Sequence, residues 1–136
     1  CYIRNSLGPF KLKTGFHGLS NHPKSNPYQK STYGEGKMKS VIENNIHDKE
    51  KLTEALFDMM ADKSSHFPDD QMIKQGGENS PMTPFHPKLA CINVDISEKG
   101  YGTRVTTLIL IDNENNVTFI EKSALSQDET VHRFKI

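Results

Sequence analysis

GYGTRVTTLILIDNENNVTFI, residues 100–120, decides the fold class. Val105 to Ile111 is rich in β-branched residues and nearly continuously apolar, and is read as a central strand. Asp112-Asn113-Glu114-Asn115-Asn116 is a run of turn formers, and Val117-Thr118-Phe119-Ile120 returns as the antiparallel partner. Downstream, Thr130 to Ile136 alternates and is expected to close the sheet. Upstream, Ala90, Ile92, Val94 and Ile96 alternate as a strand with one buried face does.

Further from this hairpin the period changes to that of a helix. Leu52, Ala55, Leu56, Met59 and Met60 form one apolar stripe, and Asp48 stands where an N-cap belongs. The Met pair on that stripe reads as core packing. Met38, Val41 and Ile42 share a face of a preceding helix that ends near Asn44-Asn45. Lys24 to Gly36 is polar and rich in Ser, Pro and Gly, the composition of a loop. Ser64 to Pro87 is also expected to be loop, punctuated by Pro68, Pro81, Pro84, Pro87 and Gly76-Gly77. At the start, Tyr2-Ile3 is a short strand stopped by Asn5-Ser6-Leu7-Gly8-Pro9. Phe10 to Leu19 reads as a second strand running into Ser20-Asn21-His22-Pro23. Strands, then helices, then an antiparallel meander imply an α+β domain with helices packed on a sheet.

A chain of 136 residues is one domain or part of a larger one. Hydrophobic residues make up 34% and charged residues 25%, which is polar for a self-sufficient globule yet not disordered. Such a balance fits a segment whose buried faces are completed by another segment. Seventeen basic residues offset seventeen acidic ones, and Arg4, Arg104 and Arg133 are the only arginines. With no basic excess or stripe, nucleic acid is not expected as a partner. Cys1 and Cys91 make no disulfide framework and no Cys-x-x-Cys pair, so a reducing compartment is expected. No apolar run approaches the roughly 20 residues of a membrane span.

Several residues could carry chemistry. A first-residue thiol such as Cys1 can use its own α-amine as base. With no identifiable base or oxyanion hole beside it, Cys1 is read as an ordinary residue. Asn21, at the end of the second expected strand, can offer its amide to an oxyanion or a ligand carbonyl, or can simply hold a turn. Arg104 ends the glycine-rich Gly100-Tyr101-Gly102-Thr103 run and supplies a planar donor for a carboxylate, or else a surface ion pair. That run enters a strand and lacks the Gly-Lys-Ser/Thr ending, so it is not a phosphate loop. His17, His22, His47, His66, His86 and His132 show no metal-ligand spacing, and no metal site is expected. His17, His22, Cys91 and the methionines are residue types that ligate haem iron axially, although residue type alone carries no geometry. Zincin and α/β-hydrolase motifs do not occur.

In order along the chain stand Gly18-Leu19-Ser20-Asn21, Pro27-Tyr28-Gln29-Lys30, Gln75-Gly76-Gly77-Glu78 and Gly100-Tyr101-Gly102-Thr103-Arg104. Thr107, Leu110, Asp112, Val117-Thr118-Phe119 and Glu121 follow. From about His17 to the C-terminus this series resembles the C-terminal half of the transport and Golgi organization protein 2 family, also called the NRDE family. Tyr28 stands where that family usually carries Trp. Cys1 to Arg4 are similar to a mid-chain strand of the family, which removes most of the case for Cys1 as nucleophile. Residues 1–136 are therefore expected to be the C-terminal portion of a single NRDE-type domain, with the N-terminal half absent.

The resemblance implies layered antiparallel sheets with flanking helices, similar to the αββα fold of N-terminal-nucleophile hydrolases and partial here. It places Asn21 and Arg104 as cleft residues facing one another, with Ser20 and Thr103 beside them as ligand-binding residues. It implies intracellular haem trafficking, with links to lipid homeostasis and Golgi organisation. Haem or another amphipathic molecule would be the cargo, and Arg104 would meet its carboxylates. A non-enzymatic protein is expected first. One alternative is a cysteine-dependent amidohydrolase or acyltransferase with Asn21 as oxyanion donor, and another is a trafficking adaptor without a ligand. The expected location is cytoplasmic, with mitochondrial or Golgi membranes as associated sites.

Overall fold

The computed structural model of the chain describes residues 2–5, 8–23, 25–77, 80–126 and 128–136, with residues 2–5 and 8–10 as backbone alone. Cys1, Lys24, Glu78 and the Ser6-Leu7 centre of the first turn lie outside the described residues. Two strands, β1 (Tyr2–Asn5) and β2 (Gly8–Lys11), open the chain. Among the described residues four helices follow: α1 (Gln29–Asn45), α2 (Lys49–Met60), α3 (Asp70–Gly76) and α4 (His86–Leu89). Then come β3 (Asp95–Ile96), β4 (Tyr101–Gly102), β5 (Val105–Ile111), β6 (Asn116–Ser123) and β7 (Glu129–Lys135). Every pairing among the described residues is antiparallel: β1 with β2, β3 with β4, and a three-stranded sheet in the order β5-β6-β7. The chain is α+β, as its pattern requires.

The hairpin at residues 100–120 forms as read. Asp112 Oδ1 accepts from the amides of Glu114 and Asn116, each at 2.9 Å, and Asn115 takes the left-handed conformation with φ 64°. Asp and Asn serve such a turn because their short side chains bond the nearby backbone. In the sheet, however, β6 is the central strand and β5 lies at an edge. The continuous apolar run of β5 therefore does not mean central placement.

Other sequence expectations are corrected. The second strand ends at Lys11 rather than Leu19, and residues 12–19 form no strand. Residues 29–36, expected as loop, are the first two turns of α1. Within the expected loop 64–87 lie all of α3, a 3-10 turn at Thr83–Phe85 and the start of α4. Pro84 and Pro87 occupy first-turn positions there, where a missing N–H leaves nothing unsatisfied. Of the expected strand 90–96, only Asp95–Ile96 pairs. Ala90 instead caps α4, its amide bonding the His86 carbonyl at 2.9 Å.

One buried carboxylate explains how α1 starts so early. Asp69 is 2% exposed; its Oδ1 accepts from the Met72 amide at 2.9 Å and its Oδ2 accepts from the Gln29 amide at 2.6 Å. It thus caps its own helix, α3, and also the N-terminus of α1. Tyr28, at the N-cap position of α1, supplies no side-chain cap of its own. Helix N-termini carry amides without intrahelical partners, so a single carboxylate joining two of them ties the helices together. Tyr28, Met72 and Ala90 pack as a small core beside this junction.

The second packing unit sets α2 on the sheet. Asp48 caps α2 by accepting from the Lys51 amide at 3.1 Å. Leu56 and Met59 are buried on the stripe the sequence predicted. Lys49 Nζ donates to buried Thr118 Oγ1 at 2.6 Å, and the Lys122 ammonium sits 4.1 Å from the Phe57 ring centroid. Thr118 and Lys122 share one face of β6, so the helices cover that face.

Replacing Asp69 with Ala leaves two helix N-termini uncapped at once. The expected destabilisation is roughly 2–4 kcal/mol in urea unfolding, larger than for a single surface cap. An equal loss on removing the exposed cap, in Asp48→Ala, would show that Asp69 holds only one helix.

Candidate functional site

With its start fixed, α1 presents its first turns to three other segments. Glu35 Oε1 accepts from the Gly18 amide at 2.7 Å. Ser31 Oγ bonds His22 Nε2 at 2.9 Å. Lys30 Nζ donates to the carbonyls of Leu89 at 2.7 Å and Cys91 at 3.1 Å. Burial pulls the Lys30 ammonium below its ordinary pKa, while the thiol of Cys91 and the carboxylate of Asp69 act in the opposite direction. The segment from His17 to Ser20 is therefore laid along α1 by side chains one and two turns into that helix.

Glycine is required at residue 18. A Cβ there would stand 2.5 Å from the Ser31 carbonyl oxygen and 3.2 Å from Glu35 Cγ. Two bulky groups cannot share that space, so any larger residue lifts the segment off α1.

Between this segment, α1, α2 and Ile92 lies an open cavity of about 280 Å³. Its apolar wall is Leu19, Met38, Met59, Met60 and Ile92; His17, Ser20, Lys30 and Glu35 provide polar atoms. His17 Nε2 lies 2.8 Å from the Lys13 carbonyl. The cavity brings an imidazole and three thioethers to one space, a grouping no local spacing announces.

The expected site residues divide between places. Ser20 lines this cavity. Thr103 and Arg104 line another, of about 400 Å³, with Lys63, Asp95, Tyr101 and Leu125. Asn21 lines neither of the two. Its side chain is exposed, and its carbonyl accepts from Tyr28 Oη at 3.2 Å and Gln75 Nε2 at 2.8 Å. Asn21 thus joins its turn to α1 and α3 through the backbone.

Thr103 is tied to Val94 twice. The Thr103 amide donates to the Val94 carbonyl at 2.8 Å, and the Thr103 hydroxyl accepts from the Val94 amide at 3.0 Å. Gly102 permits this approach, since a Cβ on it would stand 2.7 Å from the Val94 oxygen. The glycines of the 100–104 run thus serve a tight strand crossing, and Gly100 takes φ 63° at the preceding turn. Arg104 is exposed at the rim. Lys63 and Asp95 pair there at 2.8 Å.

Cys91 is buried, and burial pushes its thiol above the ordinary range, with Lys30 opposing that shift. Its Sγ donates to the carbonyls of Lys63 at 3.1 Å and Pro87 at 3.4 Å. A protonated thiol with both bonds to backbone is a packing group, not an activated nucleophile. Among the described residues, no three His, Cys, Asp or Glu side chains are grouped to hold a metal ion. No helix among them is long and apolar enough to cross a membrane.

Sequence reasoning missed one further groove. Ile42, Ile46, Leu52, Leu56, Leu110 and Ile111 wall an open space of about 520 Å³ where α1 and α2 meet β5. The helix stripe and the strand were both legible, but the gap between them depends on how far the two elements separate.

Gly18→Ala is expected to displace residues 17–20 and release the Gly18 amide from Glu35. Amide hydrogen exchange at Gly18 should rise about tenfold or more while α2 stays protected, since loss of one such bond is worth about 1–2 kcal/mol. Unchanged exchange at Gly18 would contradict the contact with α1.

The family profile described as Transport and Golgi organisation 2 matches residues 1–126. A "Transport and Golgi organization protein 2 homolog" of Homo sapiens is 33% identical over 131 residues, covering 94% of this chain and 46% of the relative. The bovine homolog is 30% identical over 144 residues, covering 100% of this chain and 51% of its own length. The Drosophila melanogaster "Transport and Golgi organization protein 2" is 27% identical over 115 residues, covering 82% of this chain and 38% of its own length. The chain thus spans about half the length of the curated relatives it matches. With nearly its whole length inside the family profile, the chain belongs to the Transport and Golgi organisation 2 family.

Proposed function

We propose that this chain is part of a non-enzymatic carrier acting in transport and Golgi organisation, as the names of its relatives state, and that its cargo is haem or a similar amphipathic molecule. One observation carries the cargo reading: His17, Met38, Met59 and Met60 line a single, largely apolar cavity. Imidazole and thioether are side-chain ligands of haem iron, and apolar walls exclude water from a flat hydrophobic ring. The Met pair then has two roles, since Met59 is buried on the α2 stripe and also lines the cavity.

Ser20 sits in the wall of the proposed site, and Asn21 holds its turn from outside. Arg104 and Thr103 belong to a separate opening, where the guanidinium is a candidate partner for a carboxylate. For the fold of the whole protein we adopt the layered αββα arrangement similar to N-terminal-nucleophile hydrolases. Helices on one face of the three-stranded sheet support it. The carrier is placed in the cytoplasm, with mitochondrial or Golgi membranes as ends of its route, and with roles in lipid homeostasis following from its cargo.

Titration of the chain with micromolar haem should shift the haem absorption spectrum. His17→Ala and Met59→Leu should each weaken binding by about tenfold, a loss of about 1.4 kcal/mol. A spectrum that does not move on adding protein, or that moves equally with both variants, would remove the cargo reading.

A further inference from the structure

One residue in the wall of the cavity of about 280 Å³, Ser31, has its hydroxyl against an imidazole. Ser31 Oγ lies 2.9 Å from His22 Nε2, and His22 Nδ1 lies 3.1 Å from the Pro23 carbonyl oxygen. A carbonyl oxygen only accepts, so the Nδ1 contact puts the ring proton on that nitrogen. The neutral imidazole then has its lone pair on Nε2, and the Ser31 hydroxyl donates to it. The hydroxyl proton thus faces a base, and the base is oriented by a third group. That arrangement is how a serine oxygen becomes a nucleophile.

The surrounding fold holds this pair in place. The His22 and Tyr28 rings meet edge to face with centroids 5.0 Å apart, and Tyr28 Oη donates to the Asn21 carbonyl at 3.2 Å. Gln75 Nε2 donates to the same carbonyl at 2.8 Å, and the Asn26 amide donates to the Pro23 carbonyl at 3.0 Å. The backbone is therefore anchored on both sides of His22. Ser31, 9% exposed, stands in the first turn of α1, where the positive end of the helix favours charge developing on Oγ. It shares the cavity with Leu19, Met38, Met59, Met60 and Ile92, an apolar wall suited to a hydrocarbon chain. The cationic donor of that wall, Lys30, is engaged by the Leu89 and Cys91 carbonyls, and the Gly18 amide is engaged by Glu35. With those donors occupied, an oxyanion receives little help, and hydrolysis of a bound acyl group is slow.

We propose that Ser31 is an activated nucleophile that takes an apolar acyl group from an activated ester bound in the cavity, with His22 as the general base. The Ser31 hydroxyl proton passes to His22 Nε2 as Oγ bonds the ester carbonyl carbon. The bond from that carbon to the leaving oxygen then breaks. The leaving oxygen keeps the electron pair, and His22 returns the proton to it. The product is one acyl ester per chain, a covalent load without turnover, which goes beyond non-covalent carriage and does not make the chain a hydrolase. The proposal shares its cavity with the haem reading but not its chemistry. A haem spectrum that fails to move leaves Ser31 acylation standing, and absence of acylation leaves haem binding standing.

The test incubates the 136-residue chain with p-nitrophenyl hexanoate at neutral pH and follows the acyl group by intact-mass and peptide mass spectrometry. One hexanoyl group on Ser31 is expected, with one equivalent of p-nitrophenolate released. Ser31→Ala should abolish the label. His22→Gln keeps a hydrogen-bonding side chain beside Ser31 but cannot take its proton, and should slow labelling about a hundredfold. The native chain should react about tenfold more slowly with p-nitrophenyl acetate, whose acyl group is too short to lie along the apolar wall. Circular dichroism checks that both variants fold, while the site of labelling and the chain-length comparison are read on the native chain. Acyl groups confined to lysines or Cys91, Ser31 labelling unchanged in His22→Gln, or equal rates with the acetate would each overturn the proposal.

Discussion

A single carboxylate, that of Asp69, accepts from its own helix start and from a backbone amide forty residues away, and most of the described helical half follows from it. Asp69, 2% exposed, bonds the amides of Gln29 and Met72. Leaving either amide unbonded in that setting costs about 1–3 kcal/mol, so the two helix starts are held as one object. Because α1 begins at Gln29, Lys30, Ser31 and Glu35 fall on helical turns. From there they hold the 89–91 carbonyls, His22 and Gly18 respectively. The cavity beside His17 is the space those attachments leave between the segment, α1 and α2.

That dependence accounts for what could be read in the sequence and what could not. The β5-β6-β7 meander was legible because its turns are built from residues adjacent in the chain: Asp112 bonds amides two and four residues on. The α2 helix was legible for the same reason, with Asp48 and a five-residue stripe inside one short window. The start of α1 was not. Its cap comes from residue 69, and its first turns hold Gly34 and Gly36, each of which lowers helix propensity by about 1 kcal/mol relative to Ala. Local preference says loop, and a distant carboxylate overrides it. The α3 start was different: Asp69 followed by Asp70-Gln71-Met72 is an N-cap signal, obscured by the prolines around it.

Site residues divide along the same line. Ser20 and Arg104 were found by motif, yet they line separate cavities, since motif order says nothing about the path of the chain between motifs. The glycines of Gly18 and Gly102 were noted as motif members, and their physical reason is backbone approach to Ser31 and Val94. The methionines were assigned to packing, which is correct for Met59, and their place around His17 emerges only when α2 is set against α1. Strand β7 adds the opposite lesson. Its alternation was read as a strand, while the side on which the charges fall, relative to the helices, is visible only in three dimensions.

Amide hydrogen exchange in the native chain and in Asp69→Asn tests the account at its root. Asn has one accepting oxygen where Asp has two, so it can satisfy only one of the two amides. The expected result is slow exchange at both Gln29 and Met72 in the native chain. In the variant one of them is released, and the Gly18 amide is released with Gln29 whenever that is the one lost. Two amides that stay equally protected in the variant, or a Gly18 amide indifferent to the state of Gln29, would contradict the claim that this carboxylate sets the helix that shapes the cavity.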